Sequence, residues 1–198
     1  NYVFDSVHDR QTSQSHLFEG VGMPELLEAT LDGYTATVFA YGQTGSGKTY
    51  TVSGSAGASA PKQALSVSAM PGHAPPADSA GLMQRTAHYL YEGMARRKDV
   101  RYTVRATYLE IYNEQVRDLL RRTDKDATWN GVAEQPRFNE TRPGVNDDAD
   151  VEVTRVTARD ASHVLEIMAE GTARRASGET KMNDRSSRSH SVVTVYVE

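Results

Sequence analysis

The sequence predicts an α/β fold organised around a phosphate-binding loop, and three observations carry that expectation. Gly42-Gln43-Thr44-Gly45-Ser46-Gly47-Lys48-Thr49 is a complete G-x-x-x-x-G-K-[ST] pattern. Before it, the apolar run Ala36-Thr37-Val38-Phe39-Ala40-Tyr41 reads as a buried strand. After it, the chain from Lys48 onward can open a helix whose N-terminus faces an anion. Three glycines let the backbone wrap tightly, so that successive N–H groups can point at a triphosphate. In such a loop Lys48 supplies a point charge for the β- and γ-phosphates, and Thr49 supplies a hydroxyl for Mg2+.

Bulk properties narrow the class. A chain of 198 residues is one domain or a large part of one. Its net charge of −4 gives no support for a nucleic-acid partner. It has no cysteine, which excludes disulfides and thiolate metal sites. The longest apolar stretch, 192–197, is far too short to cross a membrane, and no charged-then-apolar leader opens the sequence. A soluble intracellular protein is expected, and the abrupt start and stop read as part of something longer.

In chain order, residues 2–5 suggest a brief strand. Leu17, Val21, Leu26, Leu27 and Leu31 suggest a helix broken near Pro24. At 54–81 the composition changes abruptly: 21 of 28 residues are Ala, Ser, Gly or Pro, too little apolar surface to order the segment well. This is read as a low-complexity loop inserted within the domain. Met83, Ala87, Leu90, Tyr91 and Met94 recur at helical spacing, and Arg96-Arg97-Lys98 closes that helix as a solvated end. Tyr102, Val104, Ala106 and Tyr108 alternate with polar residues as a half-buried strand. Val116, Leu119 and Leu120 suggest a short helix after it. Residues 121–150 are polar and read as loops with weak strands. Asp160 can cap a helix running through Val164, Leu165 and Met168 towards Arg175. Gly171 weakens that helix, and His163 lies on its surface. The β-branched run 191–197 reads as a strand buried on both faces.

A second motif, Asn183-Asp184-Arg185-Ser186-Ser187-Arg188-Ser189-His190, lies between that helix and strand. It concentrates hydroxyls, guanidiniums, an amide and an imidazole. Phosphoryl hydrolysis wants hydroxyls to ligate Mg2+ and hold a water, and an amide donor near the γ-phosphate. On composition alone, a solvated polar turn accounts for it at least as well.

Residues 39–51 resemble the phosphate-loop signature of the kinesin motor domain, and 183–190 resemble its switch I. The stretch Tyr108-Leu109-Glu110-Ile111-Tyr112-Asn113-Glu114-Gln115-Val116-Arg117-Asp118-Leu119-Leu120 is similar to the family's segment between them. Order and spacing agree, and the resemblance extends over essentially the whole chain. It implies a P-loop NTPase fold, three-layer α/β/α with a mostly parallel central sheet, of which residues 1–198 are a partial motor domain. It implies ATP and Mg2+ as cofactors and a microtubule of tubulin as partner, in the cytoplasm and on the cytoskeleton. A homodimer, where one forms, would assemble through regions outside this chain.

Residue roles follow from the resemblance by motif position. Lys48 would hold the β- and γ-phosphates, and Thr49 and Ser187 would supply the hydroxyls on Mg2+. Ser186 would contact the γ-phosphate region and the attacking water, and Asn183 would steady the γ-phosphate. Arg188 would pair with a switch II glutamate that these 198 residues do not contain. The full-length parent is therefore expected to be the ATPase, and this stretch alone to be inactive. The family's topology places the strand before the phosphate loop between two strands that come later than switch I, so residues 36–41 would lack both neighbours here. The 128–150 stretch matches the family poorly. Two rivals remain: a degenerate kinesin-like module that binds ATP or microtubules without moving, and a generic P-loop ATPase with 192–198 as its Walker B strand.

Overall fold

The computed structural model describes residues 2–55, 76–121, 153–177 and 189–198. Most of the insertion, the 122–152 region and the motif residues Asn183, Ser186, Ser187 and Arg188 lie outside the described residues. What is described divides into two units: residues 1–103 with 159–166 and 197–198, and residues 104–158 with 167–196.

The first unit is built on four helices: α1 (Gln14–Gly20), α2 (Met23–Leu31), α3 (Lys48–Ser53) and α4 (Leu82–Arg96). Ser13 caps α1, its hydroxyl accepting the His16 N–H at 3.2 Å. The helix break falls at Gly22, whose φ of 72° turns the chain, while Pro24 sits in the first turn of α2. There its missing N–H costs nothing, so the proline opens a helix where the sequence suggested that it broke one. Phe18, Met23, Leu27, Leu31, Leu82, Ala87 and Leu90 form the core of this unit. The Phe18 and Tyr89 rings meet with centroids 6.1 Å apart.

The two ends of the 54–81 segment meet at a narrow neck. A Cβ on Gly54 would strike the backbone of Ser79 and Gly81, and one on Gly81 would strike that of Val52, Ser53 and Gly54. Ser55 N–H donates to Ser79 O at 3.1 Å. Arg85 holds the returning side, donating to Ala80 O and Ala77 O at 3.0 Å each.

The basic cluster that ends α4 is not simply solvated. Arg96 and Arg97 both reach Glu28 of α2 at 3.0 Å, and Arg97 also reaches Asp32 at 2.7 Å and Leu31 O at 2.8 Å. Tyr89 donates to the same Glu28 carboxylate at 3.1 Å. Partial burial pushes the Glu28 carboxyl up, but the bonds from Tyr89, Arg97 and Arg96 outweigh it and hold it below the usual range.

The second unit contains a four-stranded sheet: β1 (Val104–Tyr112), β2 (Gln115–Asp118), β3 (Val156–Ala158) and β4 (His190–Val197). β2 and β3 pair antiparallel with β1, in registers Tyr112↔Gln115 and Val104↔Ala158. β4 also pairs with β1. The reciprocal Thr103–Glu198 backbone bonds, 2.7 and 3.0 Å, are the signature of an antiparallel pair at its end. Val104, Ala106, Tyr108 and Glu110 alternate inward along β1. Asp118 closes the β2 end, accepting the Leu120 N–H at 2.9 Å and the Thr154 N–H at 2.7 Å. Helix α5 (Ala161–Ser177) is capped by Asp160, which accepts the His163 N–H at 2.8 Å. No helix among the described residues is long and apolar enough to cross a membrane.

The structure departs from the sequence expectations in several places. Residues 2–5 and 36–41 form no strand, and Phe39 and Tyr41 are 80% and 93% exposed. An apolar run becomes a buried strand only where neighbours complete its ladder, and no described strand pairs with it. The expected helix at 116–120 is instead β2, because Asn113 and Glu114 adopt φ of 49° and 60° and close a two-residue hairpin. β4 is half-buried to exposed along its length, not buried on both faces. The described pairings whose direction is evident are antiparallel, where the resemblance implies a mostly parallel sheet.

Gly171 is required by packing: a Cβ there would run into the Tyr108 ring. Helix propensity alone would make Gly171→Ala stabilising by about 0.5–1 kcal/mol. Overpacking against the buried ring costs about 1–3 kcal/mol and should win. We therefore expect a lower melting temperature for Gly171→Ala, measured by calorimetry in the full-length parent; a higher one would mean that Tyr108 yields.

Candidate functional site

The phosphate loop takes its shape from glycines in backbone regions that other residues avoid. Gly42, Gly45 and Gly47 have φ of 154°, 80° and 95°. Apart from the chain neighbours, no heavy atom of the described residues lies within 4 Å of where a Cβ would stand on Gly45 or Gly47, so the loop backbone is open there. Gly42 is closely approached by the Ser46 side chain. Ser46 N–H donates to Gln43 O at 3.2 Å, and Thr51 N–H donates to Gly47 O at 2.8 Å, which starts α3. Gln43, Thr44, Gly45 and Ser46 are exposed.

Lys48 folds back into this ring. Its Nζ donates to Gly42 O and Gln43 O, both at 2.7 Å, and its side chain is half-buried. The ammonium therefore sits against the loop's own backbone, held by carbonyls at one edge. Thr49 follows on the first turn of α3 and is exposed. The arrangement offers a fixed positive charge and an open glycine backbone, which is the chemistry of a phosphate cradle.

The residues present fit a nucleotide-borne Mg2+ better than a dedicated metal cage. Mg2+ keeps several waters and takes phosphate oxygens with one or two protein groups. Thr49 offers one exposed hydroxyl beside the loop. Among the described residues no cluster of three or more His, Asp or Glu could hold a metal by itself.

Of the second motif, Ser189 and His190 are described. Arg175 of α5 grips Ser189, donating through Nη2 to its hydroxyl at 2.7 Å and to its carbonyl at 3.3 Å. The Arg175 Nε lies 3.4 Å from the Glu110 carboxylate, which is 2% exposed on the inward face of β1. Sequence reasoning missed this pair. The available signal was a glutamate at an inward position of the β1 alternation, where a charge demands a partner. Arg174 next to it binds Arg121 O at 2.6 Å and Glu170 at 2.7 Å. The structure does not place Asn183, Ser186, Ser187 or Arg188 against the loop, because those residues are outside the described set.

Comparison with known proteins gives a consistent result. The family model described as "Kinesin motor domain" matches residues 1–198. The chain is 33% identical over 199 residues to chromosome-associated kinesin KIF4 of Mus musculus, covering 100% of this chain and 14% of that protein. It is 36% identical over 197 residues to kinesin-like protein KIN-14O of Arabidopsis thaliana, covering 99% and 14%. With kinesin-like protein cut7 of Schizosaccharomyces pombe it shares 36% identity over 202 residues, covering 98% and 16%. The chain thus spans a small part of the length of these relatives.

The Glu110–Arg175 pair generates a prediction. Arg175→Ala leaves a buried carboxylate without its cation, a loss of about 3–5 kcal/mol. The double replacement Glu110→Gln with Arg175→Met removes both charges and should recover much of that loss. Calorimetry of the two variants in the parent protein measures this. Equal destabilisation in both would show that the pair is not coupled.

Proposed function

The chain belongs to the kinesin motor domain family, and on that premise we propose that in its full-length parent this domain binds Mg·ATP at the 42–49 loop and hydrolyses it. Hydrolysis would be coupled to binding of microtubules and movement along them, on the cytoskeleton. The observation that supports the reading is the loop geometry: Gly45 and Gly47 in left-handed backbone, with the Lys48 ammonium 2.7 Å from Gly42 O and Gln43 O. A triphosphate would take over the ammonium from those carbonyls, exchanging two neutral acceptors for charged oxygens.

The roles of this chain's residues follow. Lys48 binds and orients the β- and γ-phosphates, and the N–H groups of the glycine loop line them. Thr49 and Ser187 supply the hydroxyls that hold Mg2+. A Mg2+ held there would supply positive charge to offset that of the phosphates. Ser186 and Asn183 orient the attacking water and the γ-phosphate, and Arg188 closes the site through a glutamate supplied by the rest of the parent. The reading includes the family's three-layer α/β/α P-loop architecture with a mostly parallel central sheet. The 54–81 segment is read as an insertion in this domain.

Lys48→Ala tests the proposal. The loop has no second side chain that could replace the ammonium. Removing one fixed charge aimed at the reacting group costs on the order of 10²–10³ in turnover. We expect Mg·ATP turnover of the full-length parent, with and without microtubules, to fall by about that factor. Unchanged turnover would contradict the assignment of the loop.

A further inference from the structure

Lys48 and Thr49 are the first two residues of α3, a helix of six residues. Isolated helices shorter than about 12–15 residues are marginal in water, so α3 cannot fix its own position. Two glutamine side chains from neighbouring helices grip its carbonyls. Gln14 Nε2 of α1 donates to Tyr50 O at 2.8 Å, and Gln84 Nε2 of α4 donates to Ser53 O at 2.8 Å. Tyr50 O also accepts the Gly54 N–H at 2.8 Å, so it serves both the helix and the tether.

The other end of each amide makes these residues unusual. Gln14 is 2% exposed, and among the described residues the Oε1 atoms of both Gln14 and Gln84 are buried without a hydrogen-bond partner. The orientation of each amide is fixed, because turning it would set a carbonyl oxygen against a carbonyl oxygen. A buried unpaired acceptor is destabilising, and an apolar side chain of equal length would avoid it. For stability alone, glutamine is therefore a poor choice at both positions. The pattern makes sense if the donated bond places α3.

We propose that Gln14 and Gln84 are positioning residues of the nucleotide site. They hold α3 from two sides and so set where Lys48 and Thr49 meet the phosphates of a nucleoside triphosphate. The inference rests on the reading of the 42–49 loop as that site. The bonds of both glutamines go to the α3 backbone, so both act through it.

The test uses the full-length parent and titration with Mg·ATP. Gln14→Met and Gln84→Met keep length and volume but remove the donor. Each should weaken Mg·ATP binding about 5-fold, the equivalent of one hydrogen bond. Melting temperatures should stay level or rise, because the unpaired acceptor is gone. Gln14→Glu supplies a chemical signature. Its carboxylate accepts only, so at neutral pH it should weaken binding more than Gln14→Met does. Protonation restores a donor, so its affinity relative to wild type should recover as pH falls from about 8 to 5. A purely structural role gives no such recovery. Wild-type binding with unchanged Met variants, or a Gln14→Glu loss that ignores pH, overturns the inference alone. A wild-type parent that does not bind Mg·ATP overturns the nucleotide reading and this inference with it.

Discussion

Lys48, its ammonium bonded to Gly42 O and Gln43 O, stands at the start of a helix too short to hold itself. Six residues close few i→i−4 bonds, against a nucleation penalty that isolated peptides rarely overcome. The first unit can be understood as the answer to that constraint. α1, α2 and α4 bury an apolar core of Phe18, Met23, Leu27, Leu31, Ala87 and Leu90, and α3 is bonded to the edge of this core by side-chain amides. Just after α3, Gly54 and Gly81 bring two stretches of backbone together in a narrow neck. A side chain at either position would force the neck apart and release the end of α3.

The two groups of ion pairs serve different ends. The Glu28, Asp32, Arg96 and Arg97 cluster fastens α2 to α4 while staying partly exposed, so solvent screens each bond in it and leaves each worth little. Its value lies in direction, since Arg97 ties both the side chain of Glu28 and the last carbonyl of α2, Leu31 O. Glu110 and Arg175 present the opposite case. Their carboxylate is fully buried, so the pair adds little net stability while each partner depends heavily on the other. Arg175 also holds Ser189, the residue before β4.

Much of this was legible in the sequence wherever local chemistry decides the outcome. The glycine spacing of the phosphate loop and the Asp160 cap depend on a few neighbouring residues, and both are seen. Along β1, Val104, Ala106 and Tyr108 are buried as read, but Thr107, expected on the polar face, is buried too. The failures share a cause: the deciding partner is distant or absent from the pattern. Residues 36–41 are apolar enough for a strand, but apolarity does not supply a ladder. Val116, Leu119 and Leu120 have helical spacing, yet the left-handed Glu114 that makes a hairpin there has no strong sequence signal. Gly171 looks like a weak point in a helix until Tyr108, 63 residues earlier, is seen against it. The partners of Arg97 and Arg175 were invisible for the same reason. Of the candidate site, the loop half is placed by the structure, and Asn183, Ser186, Ser187 and Arg188 rest on the motif.

The central claim is that the 42–49 loop and α3 together hold a nucleotide. Amide hydrogen exchange across the full-length parent, with and without Mg·ATP, tests it most directly. The account predicts that protection on adding nucleotide is concentrated at residues 42–53, where the loop N–H groups meet phosphate and the short helix is locked. Exchange there that is indifferent to Mg·ATP would contradict it.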